Sequence, residues 1–179
     1  SRKEALLFIL KEKRVFSVCG AHGKSTTSAM LSSIVDGSVI IGAESKQFGT
    51  NMYHRDSENI IFEADESDES FLNSNPYIAI VTNAEPEHME YYNYDYDRFY
   101  GAYRKFLALA TIRVINAEDE FLSTLGELDA IRLYPSIDIK NIETIMRDGE
   151  PFTSFFLKDL GEFEVWGIGE HIALDASLA

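Results

Sequence analysis

Residues 15–19 form the apolar run Val-Phe-Ser-Val-Cys, which leads straight into Gly20-Ala21-His22-Gly23-Lys24-Ser25-Thr26-Thr27 and a helix-compatible segment ending near residue 35. A strand, a turn with two glycines and a helix in immediate succession predict a strand–turn–helix unit with little freedom in how it is built. Such a unit aims the free N–H groups of the turn and the positive end of the helix at one point, where an anion is held.

The same grammar recurs along the chain. Further apolar runs at residues 38–41, 59–62, 77–82 and 112–115 are separated by helix-compatible stretches, most clearly residues 94–110. Continuous apolar strands between amphipathic helices are what a parallel sheet covered on both faces produces. The first two-thirds therefore reads as an α/β, doubly wound, mostly parallel sheet of the P-loop kind. After Asn116, short strand-like runs at residues 130–134, 142–146, 152–157 and 162–165, with a turn at Asp148-Gly149, predict a smaller antiparallel or mixed β region. A last helix is expected from Gly169 onward, and a helix over residues 4–13 precedes the first strand. In residues 91–106 the spacing of Tyr96, Phe99, Tyr100, Tyr103, Phe106 and Leu107 marks a helical stripe facing the core, not a base-stacking surface.

Composition narrows the function. A formal charge of −14 over 179 residues, with no contiguous basic stretch, excludes a nucleic-acid partner. No apolar run approaches the ~18 residues of a membrane span and no signal-peptide pattern is present, so no membrane insertion and a cytoplasmic location are expected. Cys19 is the one cysteine. At the end of a buried strand it reads as a small core residue.

The chemistry gathers at strand ends. In Gly20, Ala21, His22, Gly23, Lys24, Ser25 and Thr26 the backbone cradles phosphate, Lys24 supplies a cation for the β- and γ-phosphates, and Ser25 a hydroxyl for Mg²⁺. The loop is one residue tighter than the common P-loop pattern, because the fifth place before the lysine is Cys19 and the fourth is Gly20. The strand ending at Phe62 opens into Glu63-Ala64-Asp65-Glu66-Ser67-Asp68-Glu69, five carboxylates in seven residues. Carboxylates so crowded repel unless a cation joins them, which favours a metal. Glu63, the first acid after the strand, is the preferred ligand, while Asp65 or Ser67 suits a turn or cap. The next strand ends in Asn83-Ala84-Glu85-Pro86-Glu87-His88, so Asn83 and His88 join the same rim, with a phosphate or second-metal role for His88.

GAHGKSTT, FEADESDESF and VTNAEPEHME, in this order and at these separations, resemble the central ATP-binding domain of the Mur ligases. The ADESD run looks most like the branch that adds L-alanine to UDP-N-acetylmuramate. The resemblance is clear over residues 13–116 and resumes at Gly169-Glu170-His171. It implies an ATP-dependent carboxylate–amine ligase of peptidoglycan synthesis that uses ATP and Mg²⁺, with UDP-N-acetylmuramate and L-alanine as substrates of the full-length enzyme. Lys24 would then bind the ATP phosphates, Ser25 and Glu63 the first Mg²⁺, and His88 the second. Asn83 would support the phosphate region, and His171 would lie at the nucleotide base.

Several positions depart from the family pattern. Glu87 precedes His88 where aspartate is usual, and Tyr103 occupies the place of a carbamylated lysine in some relatives, so no carbamate is expected. The closing motif has Ile172 and Asp175 where asparagines are usual. The resemblance implies that residues 14–179 are a central domain and residues 1–13 a linker helix from an upstream domain that grips the UDP-sugar. Such a piece is expected to bind nucleotide weakly and not to turn over. Three other readings stand beside this one: another ligase of the superfamily, for murein tripeptide or folylpolyglutamate, a nucleotide-dependent switch protein, and a non-catalytic acidic interaction domain. The switch lacks its Asn-Lys-x-Asp motif, since residues 82–85 read Thr-Asn-Ala-Glu.

Overall fold

The computed structural model describes residues 2–45 and 49–179. Helix α1 (Arg2–Leu10) precedes β1 (Arg14–Cys19), α2 (Lys24–Ile34), β2 (Ser38–Ser45), β3 (Thr50–Tyr53), β4 (Asn59–Glu63) and β5 (Ile78–Val81). Then come α3 (Tyr96–Leu109), β6 (Ile112–Asn116), β7 (Ile131–Leu133), α4 (Pro135–Asp138), β8 (Ile139–Arg147), β9 (Glu150–Leu157), β10 (Gly161–Trp166) and α5 (Glu170–Leu178). A seven-stranded sheet has the order β3-β2-β4-β1-β5-β6-β7 and is parallel except for the edge strand β3. Strands β8, β9 and β10 form a separate antiparallel sheet.

Side-chain alternation along the strands sorts the core into two layers. Val15 and Cys19 of β1, Ile60 and Phe62 of β4, and Ala79 and Val81 of β5 face α3, whose Phe99, Tyr103, Phe106 and Leu107 are all buried. Their neighbours Val18, Ile61 and Ile80 face the other way, onto α2, α5 and the small sheet, through Leu31, Ala173, Phe155 and Leu157. The doubly wound sheet is therefore present, and Cys19 is a fully buried core thiol. Burial pushes that thiol well above its ordinary range, with the Glu66 carboxylate adding to the shift and Lys24 opposing it. Among the described residues no helix is long and apolar enough to cross a membrane.

Four expectations change. The run at residues 130–134 does not belong to the antiparallel region: β7 pairs in parallel with β6, Val114 opposite Ile131, and widens the main sheet. Strand β3 lacks apolar alternation because its side chains lie at an exposed edge, and the sequence pattern missed it. Tyr96 stands off the core stripe at 54 % exposed, at the first position of α3. The N-terminal helix stops at Leu10, where Glu12 takes a left-handed conformation before the strand.

Candidate nucleotide-phosphate site

Strand β1 lies between β4 and β5, with Val18 opposite Glu63 and Cys19 opposite Val81. The chain segments that leave these three strands therefore meet at one edge of the sheet. This is the edge at which open α/β sheets collect ligands.

The loop after β1 is held in shape by its neighbours. Gly20 has φ +137°, and a Cβ there would sit 2.2 Å from Thr82 Oγ1 and 2.8 Å from the Asn83 carbonyl oxygen. The Thr82 hydroxyl donates to the His22 carbonyl at 2.5 Å. Asn83 grips the same residue twice: its Nδ2 donates to the His22 carbonyl at 2.9 Å, and its Oδ1 accepts from the His22 N–H at 3.1 Å. Gly23, with φ +82°, is the N-cap of α2 and offers no side chain to its N–H groups. The first intrahelical bond runs from Thr27 N–H to the Gly23 carbonyl, so the amides of Lys24, Ser25 and Thr26 carry no helical partner. An anion fits there on charge and on hydrogen bonding.

Lys24 folds back over this loop. Its Nζ donates to the Gly20 carbonyl at 2.5 Å, more weakly to Ala21 at 3.4 Å, and to Glu66 Oε1 at 3.0 Å. Glu66 is 2 % exposed, and burial raises its carboxyl above the usual range while Lys24 draws it back down. Its backbone carbonyl accepts the Tyr92 hydroxyl.

The acidic run thus resolves without a metal among most of its members. Glu63 Oε2 accepts from the Gly42 N–H at 2.7 Å. Asp65 and Asp68 accept from the N–H groups of Ser67 and Ser70, each closing a local turn. Glu66 pairs with Lys24, and Glu69 with Arg98 at 3.2 Å. Repulsion in the cluster is relieved by two side-chain cations and by backbone donors, so crowding alone does not argue for a metal.

The remaining expected residues spread around this edge. His22 is exposed, with Nε2 3.6 Å from the Glu85 carboxylate and 3.5 Å from that of Glu87. His88 is exposed in a left-handed conformation. Among the described residues no three His, Cys, Asp or Glu side chains gather as a metal site. His171 is exposed in the first turn of α5, its ring against Gly169. One turn on, Asp175 is 6 % exposed, and its Oδ1 would be only 2.3 Å from a Cβ on Gly23. Burial lifts the Asp175 carboxyl to about 7, with the Thr27 side chain nearby lowering it in part.

Sequence reasoning gave no role to three of these residues: Thr82, Glu66 and Asp175. Thr82 was readable only as the last residue of a strand. The partners of Glu66 and Asp175 are Lys24 and Gly23, far away in the chain.

The chain is 69 % identical over 179 residues to the UDP-N-acetylmuramate–L-alanine ligase of Campylobacter curvus, covering all of this chain and 41 % of that protein. It is 59 % identical over 180 residues to the Helicobacter pylori ligase of the same name, covering 40 % of it. The chain thus spans about two-fifths of the length of the curated relatives it matches. The solved UDP-N-acetylmuramate–alanine ligase of Thermotoga maritima superposes with TM-score 0.77 at 26 % identity, over 99 % of this chain and 42 % of that one. A Neisseria ligase for L-alanyl-γ-D-glutamyl-meso-diaminopimelate superposes at 0.78 but with 19 % identity, over 98 % of this chain and 63 % of that one, and speaks to the fold alone. Residues 18–145 match the Mur ligase middle domain, and the chain belongs to that family.

Proposed function

We propose that this chain is the ATP-binding core of a ligase that joins L-alanine to UDP-N-acetylmuramate in peptidoglycan synthesis. The observation that carries the reading is the phosphate loop itself: unpaired α2 amides, Lys24 above them, and Glu63 and Asn83 on the two neighbouring strand ends. The substrates are those of the alanine-adding ligases to which this chain is 59–69 % identical along its whole length. That identity favours the alanine-adding reaction over tripeptide recycling, whose solved example is 19 % identical. Residues 14–179 are then a central domain that works with further domains of a longer enzyme. A cytoplasmic location goes with ATP and a UDP-linked sugar as substrates.

In this reaction a carboxylate oxygen attacks the γ-phosphorus, the bond to the bridging oxygen breaks, and ADP leaves an acyl phosphate. The amine nitrogen then attacks the acyl carbon, and the tetrahedral intermediate expels phosphate to leave the amide and a proton. Two anions must meet in line, so the chain's task is to hold and neutralise phosphate. The α2 amides and Lys24 do this directly. Ser25 and Glu63 are the residues suited to Mg²⁺: both offer hard oxygen donors, and Glu63 uses only Oε2 on Gly42. The ion would supply positive charge at the β- and γ-phosphate oxygens. A hard cation that keeps waters and takes phosphate oxygens does not require a preformed cluster of three side chains. His88 is our candidate for a second ion and His171 for the base, both from the family resemblance.

The test is calorimetric titration of Mg-ATP and Mg-GTP into this chain and its Lys24→Ala variant. Binding of Mg-ATP that the variant weakens at least about tenfold supports the reading, since a charge-assisted contact is worth about 1.5–3 kcal/mol. Binding of GTP alone would point to a switch protein instead.

A further inference from the structure

Lys24 is not a free cation waiting for phosphate. An ammonium has three hydrogens, and here they are directed at Gly20 O, Glu66 Oε1 and, at 3.4 Å, Ala21 O. Glu66 is 2 % exposed, and its second oxygen, Oε2, is buried with no hydrogen-bond partner among the described residues. Among the described residues Lys24 is thus the one charged partner of this buried carboxylate, its own side chain being 17 % exposed. If the lysine left for the nucleotide, a buried carboxylate would lose its counter-ion, and breaking such a pair is strongly unfavourable. The long contact to Ala21 is the cheap one to give up.

We propose that Glu66 is the positioning residue for Lys24: it fixes the ammonium above the phosphate loop and stays its partner when a nucleotide triphosphate binds. The incoming phosphate takes the hydrogen now directed at Ala21, and the Lys24–Glu66 bond persists. This rests on the reading of the loop as a nucleotide-phosphate site and adds a residue to it. The run Glu63 to Glu69 then divides by task, with Glu63 facing the cation and Glu66 facing the lysine.

The proposal makes a prediction opposite in sign to simple electrostatics. A carboxylate beside an anion site repels the anion, so if Glu66 were only a neighbour, Glu66→Gln would tighten Mg-ATP binding. If Glu66 positions Lys24, the same change keeps shape and an acceptor but loosens the ammonium, and binding weakens.

The experiment is a double-mutant cycle by titration calorimetry on the whole 179-residue chain. The proteins are wild type, Glu66→Gln, Lys24→Ala and the double variant, with nucleotide concentrations high enough to measure millimolar affinities. Thermal melting of each confirms folding, and the isosteric Glu66→Gln avoids the cavity that Glu66→Ala would leave. We expect about a fivefold loss of Mg-ATP affinity in Glu66→Gln and no additional loss when it is added to Lys24→Ala, the signature of two residues acting as one. Unchanged or tighter binding in Glu66→Gln overturns the proposal. So does a loss of equal size in both backgrounds, which would mean a structural role independent of the lysine. If the wild-type chain binds no Mg-ATP, the nucleotide reading fails and the proposal fails with it, a result distinct from either of those.

Discussion

Replacing Asp175 with asparagine should stabilise this protein at pH 8 and change little near pH 4. Asp175 lies 6 % exposed in α5, pressed against Gly23 of the phosphate loop. Its carboxyl is raised from 3.8 to about 7, chiefly because burial disfavours the charged form. A group whose folded pKa is raised binds its proton more tightly in the folded state. Its contribution is therefore fully present below the unfolded value, is lost as pH rises from about 4 to about 7, and is constant above that. About three pH units at about 1.36 kcal/mol each give roughly 4 kcal/mol of stability lost to ionising this one buried acid. Asparagine has nearly the same shape and never ionises. For a chain of this size, a gain of that order moves the melting temperature by about 10 °C.

The assay is thermal unfolding of wild type and Asp175→Asn at half-unit steps from pH 4 to pH 8.5. Burial also raises the Glu66 carboxyl above its ordinary range. The difference between the two curves isolates Asp175, because every other group is common to both proteins. We expect that difference to open between about pH 4 and pH 7 and then level off. A pH-independent difference, or a variant less stable than wild type at pH 8, would refute the assignment of the cost to a desolvated carboxylate.

Three further outcomes follow from named contacts. Gly20→Ala should destabilise the protein by about 3 kcal/mol and weaken Mg-ATP binding, since φ +137° and a 2.2 Å approach to Thr82 leave no room for a methyl group; chemical denaturation and calorimetry read both. Glu63→Gln should keep the acceptor for the Gly42 N–H and the fold, yet lower Mg-ATP affinity about tenfold while metal-free ATP binding is unchanged; an equal loss with and without metal would rule out a cation role. Tyr103→Phe should leave the protein as stable or up to about 1 kcal/mol more stable, because it removes a buried hydroxyl that has no hydrogen-bond partner among the described residues; a marked drop in melting temperature would show that the hydroxyl is satisfied in solution.

Much of the fold was legible because it depends on local chemistry. The strands that fill both faces of the main sheet are apolar throughout, as in Ile60-Ile61-Phe62, and the turn at Asp148-Gly149 has both residues at positive φ, as a tight hairpin between β8 and β9 requires. Strand β7 was seen but given the wrong sheet. A three-residue strand carries no mark of its partner, and only the backbone pairing to β6 decides between parallel and antiparallel. Strand β3 was missed because an exposed edge strand has no face to bury and so no period to read.

The site divided along the same line. Gly20, Gly23 and Lys24 were legible because their spacing encodes a backbone conformation, and Asn83 because it follows an apolar strand directly. Glu66 was visible only as one acid among five, since nothing in Asp65-Glu66-Ser67 shows which carboxylate turns inward. The turn closed by Asp65 decides that, together with the Tyr92 hydroxyl on the Glu66 carbonyl and a lysine 42 positions earlier. The outcome is that the proposed anion site of a strongly acidic chain is lined by two buried carboxylates, Glu66 on the lysine and Asp175 against the loop glycine. An ionised Asp175 beside Gly23 disfavours bound phosphate, while Glu66 holds Lys24 in place over the loop and offsets part of its charge. On the proposed reading, affinity for a triphosphate then comes from the α2 amides and from a divalent cation held by Ser25 and Glu63 together with Lys24, whose charge is partly offset. Binding of Mg-ATP should for that reason fall steeply when the metal is chelated, and more steeply than a loop with an unpaired lysine would allow.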